Sequence, residues 1–267
     1  MTDSLVQELA QAREARLVCA LVTIAATKGS VPRAAGSKML VYADGKCSGT
    51  IGGGKFEALV KEEALQHMSA KEPLLKTYPL HENSPQSFGA ICGGEATVLI
   101  EPQSLGEAIF LVGGGHCAQA IARLAVDCGL FVTLIEDRGE LTSGLPAQAK
   151  IVRDKAPSDV IRGREWKTDE ALIMVSRNYE IDREALAAAM EMGGAGYIGM
   201  IGSRRKVQQV FEELRERGVT QTQLDKVYAP LGLDIGADAP AEIAVSVVAE
   251  VLAVMRGRSA KHFREGK

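Results

Sequence analysis

Between Phe110 and Gln119 the chain reads FLVGGGHCAQ, an apolar run that breaks into three glycines and then resumes at helical spacing. Gly113, Gly115 and Ala118 spell G-x-G-x-x-A between a predicted strand and a predicted helix. The first glycine allows a tight turn, the second lets backbone approach a pyrophosphate, and a small third residue lets helix and strand pack closely. An anion would rest on the helix N-terminus, where unpaired N–H groups and the helix dipole favour negative charge. Glu136 and Asp137 follow 23 and 24 residues after Gly113, close to the spacing of about 20 expected of a ribose-binding acid. That favours NAD over NADP, although Arg138 beside them leaves the choice open. The competing reading is a loop whose glycines serve only turn and packing.

What surrounds this loop fixes the fold class. From Ile109 onward strands and helices alternate: 109–112, a helix at 117–128, Phe131–Ile135, a weaker strand near Ile151, and Ala171–Ser176. A helix at 182–191, a strand at 196–201, and helices at 204–217 and 239–256 follow. Parallel strands need such crossovers, so this half is expected to be a doubly wound parallel sheet of Rossmann type. Before it the grammar differs. A short helix at Glu8–Arg16, a buried strand at Leu17–Ala25, and strands at Lys38–Ala43 and Cys47–Ile51 joined by Asp44-Gly45 predict antiparallel pairing. A helix at Lys55–Met68 and a strand at Ala96–Ile100 complete an α+β unit. With Pro102–Gly106 as linker, the expected domains are 1–104 and 105–267.

Composition excludes several classes. The 31 basic and 34 acidic residues leave a net charge of -3 with no basic tail, so no nucleic-acid partner is expected. No apolar run approaches the roughly 20 residues that span a bilayer, and Asp3 and Glu8 interrupt any signal segment. No membrane partner and a cytoplasmic location are expected. Five cysteines without a Cys-x-x-Cys pair and four scattered histidines give no metal site. The apolar stripe of the last helix suggests a homodimer contact.

Other loops leave alternatives open. GTIGGGKFE, Gly49–Glu57, is either an anion cradle at a helix start or a plain glycine connector. TKGSVPRAAGS carries Lys28, Ser30 and Arg33 on a loop that either binds a ligand or is simply solvated. Ser203 is a plausible N-cap, after which Arg204, Arg205 and Lys206 oppose the helix dipole unless an anion binds there. PLGLDIGADAPAEIA, with Asp234 and Asp238, reads first as turn and capping chemistry. Cys92, between glycines in GAICGGEA, is either an accessible thiol or inert core.

Taken in order, TKGSVPRAAGSKMLV, GTIGGGKFE, CGGEATVLIEP, LVGGGHCAQA, GYIGMIGSRRK and PLGLDIGADAPAEIAVSVVAEV resemble the XdhC/CoxI family, the xanthine dehydrogenase accessory factors. The resemblance runs from about residue 18 to residue 256. It implies an N-terminal XdhC/CoxI domain before a Rossmann domain, and a role in maturing molybdenum hydroxylases. That role is to bind the molybdenum cofactor in its molybdopterin form, assist its sulfuration with a cysteine desulfurase, and deliver it to the apo molybdenum hydroxylase. On that basis Gly52, Gly53 and Gly54 with Ser30 and Arg33 would hold cofactor, and Cys92 would contact sulfur or molybdenum. The Rossmann cleft would hold NAD, another nucleotide, or part of the molybdenum cofactor. A self-sufficient NAD-dependent oxidoreductase and a non-catalytic scaffold joining hydroxylase to desulfurase are the other readings.

Overall fold

The computed structural model describes residues 2–70, 72–80, 93–103, 106–136, 138, 144–153, 155–262 and 264. It divides into two compact units, Met1–Gly106 and Glu107–Lys267.

In the first unit, helix α1 (Thr2–Glu14) leads into strand β1 (Cys19–Lys28), then β2 (Lys38–Tyr42), β3 (Cys47–Gly49), helix α2 (Gly54–His67), β4 (Leu74–Pro79) and β5 (Glu95–Gln103). The sheet is antiparallel, in the order β3-β2-β1-β5-β4. Asp44-Gly45 turns β2 into β3 with Gly45 at φ +81, the left-handed geometry such a turn requires. Alternation then decides the faces: Ala20, Val22, Ile24, Met39, Val41, Val98 and Ile100 point to one side and bury against Phe56, Val60 and Ala64 of α2. Strand β4 was not expected from the sequence. It is an edge strand whose residues are largely exposed apart from Tyr78, so it lacks the apolar alternation that marks a half-buried strand.

The second unit runs β6 (Ala108–Val112), α3 (His116–Asp127), β7 (Phe131–Ile135), β8 (Lys150–Val152), α4 (Pro157–Arg162), β9 (Glu170–Met174), α5 (Tyr179–Met192), β10 (Tyr197–Met200), α6 (Arg204–Glu216), α7 (Gln221–Leu224), β11 (Val227–Tyr228) and α8 (Pro240–Met255). All described pairings are parallel, in the order β11-β10-β9-β6-β7-β8. The chain is thus the mixed α/β protein expected, an antiparallel unit followed by a doubly wound one. Strands β6 and β9 are buried at every residue, as strands covered on both faces must be. Residues of α4, α5 and α6 form one core layer and those of α3 and α8 the other.

Near the amino end of β9, Arg164 lies 4.0 Å from the Phe110 ring and 4.4 Å from the Trp166 ring, while its Nη2 donates to both carboxylate oxygens of buried Glu170 at 2.7 and 2.8 Å. Ligands of open α/β sheets bind beyond the opposite, carboxyl edge.

Candidate functional site

Sheet order reverses between β6 and β9, the place where open α/β sheets present a crevice beyond their carboxyl ends. The glycine loop sits there. Gly113 has φ +108, and a Cβ on it would lie 2.8 Å from the Ser176 Cα just past β9, so only glycine fits. Ala118 is fully buried, which lets α3 lie close on the sheet. Gly115 differs from both: its backbone is extended, a Cβ there would meet nothing within 4 Å among the described residues, and α3 begins after it without a side-chain cap. The absent side chain leaves room in front of uncapped helix amides, with His116 exposed beside them. This is the arrangement that accommodates a phosphate.

Glu136, expected to read a ribose, is placed otherwise. Its carboxylate accepts the Gly114 N–H at 2.7 Å and the Arg138 backbone, Nε and Nη2 donors at 3.1, 2.9 and 2.8 Å, and the residue is 4% exposed. A carboxylate with four donors and almost no exposure is committed to shaping the loop. A ribose diol would have to displace Arg138. Asp137 lies outside the described residues, as does Cys92.

At the next strand end, Ser203 caps α6 by accepting the Lys206 N–H. Arg204 and Arg205 are exposed, but Lys206 turns inward, donating to Asp182 at 2.6 Å. Asp182 is fully buried and also accepts the Ser176 N–H at 3.2 Å. Burial pushes its carboxyl above the usual range, against the opposing pull of Lys206 and Ser176. The pair ties α6 to the segment that abuts Gly113. Sequence reasoning missed it, because an aspartate in an alanine-rich helix and a lysine among arginines both read as surface charge.

In the first unit, Arg33 is brought to the glycine turn and Ser30 to Gly94. A Cβ on Gly52 would lie 2.8 Å from Pro32 and 3.8 Å from the Arg33 Cγ, while Gly94 packs on the Ser30 carbonyl. Gly52, Gly53 and Gly54 all have positive φ. Their cradle, however, already holds an anion: the Glu57 carboxylate accepts from the Ile51 and Gly53 amides at 3.0 and 3.1 Å and from the Thr50 hydroxyl, which in turn accepts from Gly52. Burial works against this charge, yet those donors hold the Glu57 carboxyl below its ordinary range. The expected anion site at this helix start is therefore filled from within. Arg33 instead borders a neighbouring cavity of about 470 Å³ that Lys38 and Ser37 also line.

Comparison with known proteins settles the lineage. The XdhC Rossmann domain family matches residues 109–251, and the XdhC and CoxI family matches residues 12–79. The chain belongs to the XdhC and CoxI family. The Escherichia coli (strain K12) protein YqeB is 34% identical over 249 residues, covering 92% of this chain and 45% of YqeB. A Bacillus subtilis (strain 168) protein named as a probable xanthine dehydrogenase component is 28% identical over 145 residues, 54% of this chain and 42% of that protein. The chain thus spans under half the length of these curated relatives. A crystal structure described as a xanthine dehydrogenase from Bacillus halodurans superimposes with a TM-score of 0.51 at 20% identity, covering 95% of this chain and 97% of that one, which shows a shared fold.

Among the described residues no group of three or more His, Cys, Asp or Glu could hold a metal ion, and no helix is long and apolar enough to cross a membrane.

Proposed function

We propose that this chain is an accessory factor for molybdenum hydroxylases of the xanthine dehydrogenase type, and that its Rossmann unit grips the phosphorylated end of the molybdenum cofactor. Family membership in both halves supports the role, and the open space before the uncapped start of α3 supports the grip. Phosphate fits there on chemical grounds: backbone donors, a helix dipole of the right sign, and a glycine that leaves the approach clear. When bound, the cofactor supplies the molybdenum centre that the client hydroxylase uses. In this reading the chain's own residues hold and orient it. Gly115 and His116 meet the phosphate, Gly113 and Ala118 set the loop, and Glu136 with Arg138 stiffens it.

The saturated Glu136 carboxylate argues against a hydride-transfer enzyme that depends on reading an NAD ribose. Sulfuration with a cysteine desulfurase, through Cys92, belongs to the same proposal, as does homodimerisation. The test is co-expression with a client molybdenum hydroxylase in cells that make the cofactor. Wild-type chain raises the fraction of active hydroxylase, and a Gly115→Ala variant of equal abundance does not; equal activation by both sinks the reading. Cys92→Ser reports separately on sulfuration.

A further inference from the structure

In the Rossmann unit, a cavity of about 480 Å³ lies at the carboxyl end of β10, between the start of α6 and the loop that runs from Pro230 into α8. Its lining is of two kinds. Ile201, Leu231, Leu233 and Ile243 give it branched aliphatic walls, and Ile235, 52% exposed, forms part of the rim. Arg204 and Asp234 add one charge of each sign, and neither is paired with another described residue.

The loop is fixed in place. The Leu231 N–H donates to the Met200 carbonyl at 3.2 Å, the Leu233 N–H to the Ser246 carbonyl at 3.3 Å, and the Ser246 hydroxyl back to the Leu233 carbonyl at 2.6 Å. Gly232 donates to Glu250, which also accepts from the buried Tyr197 hydroxyl, and a Cβ on Gly232 would come within 2.4 Å of the Ser246 oxygen. The walls are thus set before any ligand arrives.

Flat apolar faces suit aliphatic walls, and a carboxylate recognises two parallel N–H donors on one edge of a ring. The fused aminopyrimidinone ring common to pterins and guanine offers that pair, a ring N–H beside an exocyclic amine, with a carbonyl on the adjoining side for an arginine. Adenine and the dioxo analogue lumazine each place an acceptor where one of the two donors should be.

We propose that this cavity is a subsite for a fused aminopyrimidinone ring, with Asp234 accepting from its N–H and amine and Arg204 donating to its carbonyl. The proposal rests on the reading of the chain as a carrier of a phosphorylated pterin. It adds the place of the ring: β10 lies two strands from β6, about 10 Å across the sheet, within reach of a ligand whose phosphate sits at α3.

Unphosphorylated pterin isolates this cavity from the phosphate loop, and its own fluorescence reports binding to the full chain. Pterin is expected to bind saturably, with lumazine and adenine weaker by at least about tenfold. Asp234→Asn removes that discrimination, and Arg204→Ala weakens pterin. Asp234 and Arg204 are exposed, and thermal melts of both variants check that the fold survives. Equal affinity for pterin and lumazine, or an Asp234→Asn variant that behaves as wild type, overturns the subsite. If phosphorylated pterin still co-purifies with the chain, the carrier reading survives that failure; selective pterin binding without any co-purified ligand overturns the carrier reading and leaves the subsite standing.

Discussion

Gly113 and Gly115 stand two residues apart and answer to different forces. At Gly113 a methyl group meets the Ser176 backbone and a left-handed φ, so Gly113→Ala is expected to cost the fold about 3 kcal/mol in urea titration. At Gly115 a methyl group meets no described residue, so Gly115→Ala is expected to cost at most about 1 kcal/mol while obstructing the phosphate. Glu57 makes the complementary case, a carboxylate supplied by the chain where the sequence leads one to expect a ligand's anion. Because donors hold its folded carboxyl below the ordinary 4.5, its contribution is complete above the unfolded value and is lost as pH falls through the folded one. Glu57→Gln is expected to destabilise by about 1–2 kcal/mol at neutral pH and to narrow its deficit against wild type as both are acidified below about pH 4.5. An unchanged deficit across that range would show that the cradle does not need the charge.

Helix starts are where sequence and structure part most instructively. A run of Arg204, Arg205 and Lys206 in a first turn announces a cationic edge, and two of the three are exposed as that reading requires. The third is drawn down to Asp182, a pairing made across 24 residues that no local pattern contains. Lys206→Met would leave a buried carboxylate without its cation and is expected to cost about 3–5 kcal/mol, measured by chemical denaturation; a cost under about 1 kcal/mol would place Lys206 in solvent after all. The elements that were legible are those with long apolar periodicity: β1, α2, β6, β7 and α8 lie within a few residues of their expected bounds. The short α4, α7 and β11 and the exposed edge strand β4 were not, since each presents too few buried side chains to make a period. The same limit applies to the site. The glycines and Ala118 declare themselves because backbone geometry is written in residue type, whereas Glu57 and Glu136 turn inward for reasons that exist only once the loops have folded.

For the molecule as a whole, two units of different construction occur in tandem in one chain that belongs to a single family. Among the described residues the three helix starts differ: one is filled by Glu57, one is capped by Ser203 beside exposed arginines, and the one before α3 has no side-chain cap. A carrier built on that single phosphate grip predicts a ligand that leaves when the grip is obstructed, while the fold remains. The decisive measurement is mass spectrometry of small molecules released from freshly purified chain, wild type beside Gly115→Ala, from cells that make the molybdenum cofactor. A phosphorylated pterin approaching one per wild-type chain, with little in the variant, is the expected result; a dinucleotide in place of pterin, or equal pterin in both, would contradict it.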